Sequence, residues 1–217
     1  MRHNPGMHRS FDTDPSRPPA LAEAIGGPLG IAETSLPAVA FVVTYAASGS
    51  NTNTAAGVAV ALALVLAVAR LIKRESPRHA LSGLVGVALA AFIAARSGRA
   101  EDFFLPGLLL NGAYAAAFVI SIAVRRPLVG IIVGQLDGSG SNWRADRERM
   151  TAFRRASWMW AGLFGLRLAV QVPLYLAGAV VALGVAKTAM GLPLFALGIW
   201  LTWLLVRRAP TQAPARA

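Results

Sequence analysis

Cysteine is absent from this chain of 217 residues. That removes disulfide scaffolds, thiolate metal sites, thioredoxin-type redox chemistry and cysteine nucleophiles together. Histidine occurs three times, as His3, His8 and His79, and none of the three lies in an apolar stretch. A membrane serine protease of the Ser/His kind therefore has no base, although Ala80-Leu81-Ser82-Gly83 superficially resembles a nucleophile turn. No aspartate lies inside a long apolar segment, so an intramembrane aspartyl protease is excluded as well. Metalloprotease, phosphate-loop and dinucleotide motifs are missing. The expectation is a protein that is not an enzyme and has no cofactor, no catalytic residues and no metal site.

Charge is also scarce. Only 14% of the residues are charged, against 55% hydrophobic. Soluble domains average about 25% charged, with 45–50% apolar. The mean hydropathy is +0.54. The apolar residues are gathered into six segments, approximately 29–47, 54–72, 80–95, 105–124, 157–177 and 188–206. Each approaches the roughly 20 residues that a helix needs to cross about 30 Å of hydrocarbon. The backbone must satisfy itself in lipid, and the alternation of a β-barrel is missing, so these segments are expected to be helices. The predicted fold class is all-α: a polytopic membrane bundle of six transmembrane helices over residues 27–208. Residues 1–26, with four prolines and both signs of charge, read as a disordered cytoplasmic tail. Residues 209–217 read as a disordered C-terminus.

The charge that is present is mostly positive, at +11 net, and 19 of the 21 basic residues are arginine. Under an alternating six-span pattern, seventeen basic residues fall on the side of the termini and three on the other, with Arg167 inside a span. This asymmetry orients both termini to the cytoplasm of a bacterial plasma membrane. Trp158 and Trp160 open the fifth segment and Trp200 and Trp203 close the sixth, all at the same interface. In this setting the arginines face anionic inner-leaflet lipid rather than nucleic acid.

The loop between segments four and five is composite. Leu128 to Leu136 is apolar but too short to cross, and reads as re-entrant or interfacial. Gly138-Ser139-Gly140-Ser141 is a flexible break. Asn142 to Arg155 carries Trp143, Met150 and Phe153 at near-helical spacing, with Arg144, Arg147, Arg154 and Arg155 beside them. It reads either as an amphipathic helix on the inner leaflet or as an ordinary solvated loop.

Polar groups inside spans are costly, so each is a candidate site. Glu33 precedes Pro37 by four residues, and proline leaves the Glu33 carbonyl without its helical donor. A carboxylate beside an opened backbone can hold a cation or proton, or Glu33 can simply cap the helix in the headgroup zone. Arg167 lies near the middle of span five, with Gln171 one turn on and Pro173 just beyond. It can serve an anionic headgroup or a proton-coupled carboxylate, or it can pair with Glu33 and tie two helices together. Asn111 in span four is assigned to hydrogen bonding between helices. Gly184, Gly191 and Gly198, seven apart, and Ser82, Gly86 and Ala90, four apart, read as packing seams.

Leu36-Pro37-Ala38-Val39-Ala40-Phe41, with Tyr45 following, resembles the first-helix motif of bacterial intracellular septation protein A. Arg126-Pro127-Leu128 resembles that family's basic-Pro-Leu element, and Arg154-Arg155 followed by Trp160-Ala161 and Phe164 resembles the start of its fifth span. Gln171 falls where that family often has Asn. The chain departs from it in carrying Arg167, a longer linker before Trp143 and a long N-terminal tail. It is most similar to an actinobacterial multi-pass membrane family with a domain of unknown function. The resemblance implies an inner-membrane factor in septation or cell-envelope maintenance, acting through division or envelope membrane proteins or as a homo-oligomer. The other class of function is a small transporter, channel or lipid-handling protein built on Glu33, Arg167 and Gln171.

Overall fold

The computed structural model describes residues 27–72, 77–136, 140 and 142–207, with side chains of the first helix described from Ser35 onward. The expected tails at 1–26 and 209–217 lie outside the described residues. Among those described, the protein is all-helical and holds no strand. The described residues form eight α-helices, in order: α1 Gly27–Ala47, α2 Thr52–Ile72, α3 Pro77–Ser97, α4 Leu105–Ala123, α5 Leu128–Leu136, α6 Arg147–Leu176, α7 Val180–Ala189 and α8 Leu192–Arg207. Short 3-10 turns at Ala100–Phe104 and Asn142–Arg144 precede α4 and α6.

The helices form two groups. In one, α2 packs between α1 and α3; in the other, α6 packs against α4 and α8. The groups are joined where α7 meets α1 and where the Ala100–Phe104 turn meets α3. Alanines line the buried face of α2 at positions 55, 59, 63 and 67, every fourth residue. Such small side chains let helix backbones approach closely, which dispersion rewards where lipid removes the hydrophobic drive. At the joint between the groups, Phe41 stacks on Phe103 at 4.0 Å and meets Phe104 edge-on at 6.1 Å, with Val180 and Leu183 of α7 alongside. A second cluster gathers Val129, Trp143, Phe153 and Ala156 around α5.

Large apolar side chains are turned outward along the helices, among them Val65, Ile72, Val85, Phe92, Leu109 and Ile120. A soluble monomer rarely exposes so much contiguous apolar surface, whereas a bilayer covers it. Four helical stretches are long and apolar enough to cross a membrane: Thr52–Ile72, Ala100–Ala123, Arg147–Leu176 and Val180–Arg207. Ser35–Ala47 and Leu81–Ser97 are shorter apolar helices.

Two regions differ from the sequence expectation. The segment expected to be a separate amphipathic helix at 142–155 is continuous with span five from Arg147 onward. Asp146 caps that 30-residue helix by accepting from the amides of Glu148 (2.9 Å) and Arg149 (3.1 Å). At 1.5 Å per residue it is about 45 Å long, more than the hydrocarbon needs, so its basic first turns extend past the apolar part. The sixth segment, expected at 188–206, begins earlier and is broken, with α7 ending at Ala189 and α8 starting at Leu192. Pro193 explains the break, because it has no N–H to give the Ala189 carbonyl.

Candidate functional site

Arg167 projects from α6 toward the break between α7 and α8. Its Nη2 donates to the Gly191 carbonyl oxygen at 2.7 Å, and its Cζ lies 5.8 Å from the Phe164 ring centroid. A cation over an aromatic face adds to the charge-assisted bond. Gln171, one turn on, is buried, and Asn111 on α4 is half-buried. Of the expected Glu33–Arg167 pair, the structure describes the arginine side chain alone. The Glu33 side chain lies outside the described residues, while the guanidinium is engaged by a backbone carbonyl. The main packing of α6 is with α4, α8, α7 and α5, and that of α1 is with α2 and α7. Arg167 and Gln171 therefore share a face of α6 beside a broken helix, where the Gly191 carbonyl, which also accepts from Phe195 N at 3.2 Å, takes the guanidinium as a second donor.

A second polar node has no counterpart among the residues expected from the sequence. Tyr175, near the end of α6, donates its hydroxyl to Asp102 Oδ1 at 2.5 Å. Asp102 is buried in the turn before α4, so this bond fastens the end of α6 to the turn at the joint between the helix groups, beside the Phe41 cluster. Arg99 pairs with Glu101 at 2.8 Å, and that hydrogen bond, with the Asp102 charge behind it, raises the guanidinium pKa above its ordinary value. The Arg99 Cζ also lies 5.7 Å from the Tyr175 ring centroid. The Lys187 ammonium of α7 rests 5.2 Å from the Phe104 ring centroid. The available signal was Glu101-Asp102 abutting Phe103-Phe104: two acids at the edge of an apolar run need a donor from elsewhere.

The third node is the α5 end of the molecule. Pro127 opens this short helix, and its first amides are met by hydroxyls. Leu128 N donates to Ser121 Oγ at 3.2 Å and Val129 N to Ser157 Oγ at 3.3 Å. Two glycines let aromatic rings lie against the helix. A Cβ on Gly130 would meet Phe153 Cδ2 and Trp143 Cη2, each at 2.9 Å. A Cβ on Gly134 would strike the Gly140 carbonyl and lie 2.8 Å from Trp143 Nε1. The i, i+4 glycine spacing was readable in the sequence. Trp143 and Phe153 are each 1% exposed and meet edge-on at 5.3 Å. They face the protein, so they do not form the outward apolar stripe expected of an inner-leaflet helix; α5 takes that face. Met150 is half-buried, while Arg144, Arg147, Arg154 and Arg155 are exposed. The Trp143 Nε1–H is buried and has no acceptor among the described residues. An unmet buried donor costs about 1–3 kcal/mol.

The expected glycine seams divide. Gly184 lies against Val42 of α1, and Gly198 against Trp160 and Leu163 of α6, as seams do. Gly191 meets carbonyls of its own preceding turn, and Gly86 opens onto empty space, with Ser82 exposed beside it.

A protein family described as protein of unknown function (DUF3159) matches residues 25–213. No curated protein and no solved structure matches the chain.

Proposed function

The chain belongs to the DUF3159 family of proteins of unknown function, and from that premise we propose that it is a non-enzymatic, multi-pass factor of the bacterial plasma membrane. It has six spans, an interfacial α5 segment and both termini in the cytoplasm. It works in envelope maintenance or septation through membrane partners or a second copy of itself. The observation that carries the reading is the engagement of Arg167. Its charge is held by the Gly191 carbonyl at the α7–α8 break, which makes it a clamp between α6 and the broken helix. The basic asymmetry between loops supports the topology. The septation arm draws its support from the Leu36–Phe41 and Arg126–Leu128 motifs alone.

The topology is tested by reporter fusions after Arg78 and after Arg208, both expected in the cytoplasm; a periplasmic signal at either rejects it. The role is tested by depleting the protein and scoring septum placement and envelope integrity by microscopy. A transporter or lipid-handling reading draws on one specific feature, the helix break beside Arg167 and Gln171, since broken helices line substrate sites in transporters. The two readings part on Arg167→Ala. A clamp loses folded protein from the membrane, whereas a transport site keeps normal accumulation and loses function.

A further inference from the structure

A cleft of about 210 Å³ opens at the α5 end, lined by Ile131, Gln135, Gly140, Trp143 and Arg144. We infer that this cleft is a binding site for a phosphate group, in the form of an anionic phospholipid head or a free phosphate. Four observations converge on it. The Trp143 ring is 99% enclosed, and its N–H edge, turned toward Gly134 and Gly140, has no acceptor among the described residues. Trp143 itself lines the cleft, together with Gly140. Arg144 stacks its guanidinium 5.4 Å from the Trp143 ring centroid and remains exposed, which presents a fixed positive charge at the rim. Gln135 adds an amide donor.

Among the described residues, none of the lining side chains is a carboxylate. Asp146, two residues beyond Arg144, is turned to the α6 amides as a cap. A tetrahedral oxyanion takes several donors at once, which suits one indole N–H, one amide and one guanidinium. Ile131 supplies an apolar wall against which a glycerol backbone can lie. Under the proposed topology the cleft faces the inner leaflet, where anionic heads are concentrated. Gly134 is what lets the indole edge reach this point, since any side chain there would meet the Gly140 carbonyl.

The proposal rests on the membrane reading and is independent of the septation role, which the depletion experiment scores separately. The test is native mass spectrometry of the full-length protein in zwitterionic detergent. It is titrated in separate arms with phosphatidylglycerol, with diacylglycerol of the same chains, and with inorganic phosphate. Phosphatidylglycerol is expected to bind and diacylglycerol to fail. Trp143→Phe, which keeps a ring and deletes the N–H, is expected to weaken binding about threefold, and Arg144→Gln about tenfold. Arg155→Gln, an exposed charge outside the cleft, is the comparison and is expected to bind as the unaltered protein does. Thermal unfolding of each variant confirms that it is folded, and Gln135→Ala provides a third cleft variant should Trp143→Phe fail that check. Inorganic phosphate binding that is lost in the same variants supports the phosphate site and assigns it to a soluble anion. Equal retention of diacylglycerol, or an equal loss in Arg155→Gln, overturns the proposal, because either would mean generic apolar or diffuse basic attraction.

Discussion

Gly198→Ala separates close packing from helix propensity by sign. Alanine is the better helix former by about 1 kcal/mol in an open helix interior. At Gly198, however, the added methyl would lie 2.8 Å from Leu163 Cδ1 and 2.9 Å from Trp160 Cη2. Leucine can rotate away, but the tryptophan is held. Its Nε1 donates to Thr202 Oγ1 at 2.9 Å, and that hydroxyl donates in turn to the Gly198 carbonyl at 2.7 Å. Its ring also lies edge-on to Phe195 at 5.3 Å and stacked with Phe118 at 6.2 Å. Overpacking of a fixed neighbour costs about 1–3 kcal/mol, so against a propensity gain of about 1 kcal/mol the net loss reaches about 2 kcal/mol. For a chain of this size a loss of about 2 kcal/mol lowers the melting temperature by about 4–8 °C. Gly165→Ala on α6 is the matched control, because nothing lies within 4 Å of its added Cβ. It should melt at or slightly above the unaltered protein. The assay is thermal unfolding of the detergent-solubilised protein followed by circular dichroism at 222 nm. If Gly198→Ala melts with or above Gly165→Ala, α6 and α8 do not approach at Gly198, and the reasoning fails.

Tyr175→Phe keeps the ring but removes the donor to Asp102, and is expected to cost about 1.5–3 kcal/mol, read as a lower melting temperature. Ser157→Ala leaves the buried Val129 amide without its acceptor, and should speed hydrogen exchange across α5 while leaving α2 unchanged. Arg167→Met and Glu33→Ala should be additive in membrane accumulation if the Gly191 carbonyl is the partner of Arg167; a coupling above about 1 kcal/mol would put the carboxylate on the guanidinium instead.

Much of the helical architecture was legible because hydropathy is a bulk property of each segment. The apolar blocks at 54–72 and 105–124 correspond to Thr52–Ile72 and Leu105–Ala123 within two residues. The α5 end was harder to read. Trp143, Met150 and Phe153 with arginines between them are consistent with either a lipid-facing stripe or a protein-facing one, since periodicity gives a face but not its partner. The deciding signal sat elsewhere, in Gly130 and Gly134, which clear a surface for those rings on α5. Asp102 stands outside the apolar run, so hydropathy carries no sign of its partner. Its donor, Tyr175, is 73 residues away, inside an apolar segment.

Arg167 shows the same limit in sharper form. A charge near the middle of a span needs compensation, and the sequence displays acids by letter, so Glu33 was the visible counterpart. Carbonyl groups carry no letter. Yet they are countable, because each proline in a helix frees the carbonyl four residues before it, and each break exposes several more. Gly191-Leu192-Pro193 marks such a break in the sequence, whereas Pro37 lies inside the continuous helix α1. A backbone acceptor also avoids the cost of bringing a second full charge into lipid, which an ion pair with Glu33 would incur. The acceptor at Gly191 is set by the fold of one helix, whereas a carboxylate on α1 would have to be delivered by packing between the two helix groups. The more local solution is the one the described side chains adopt.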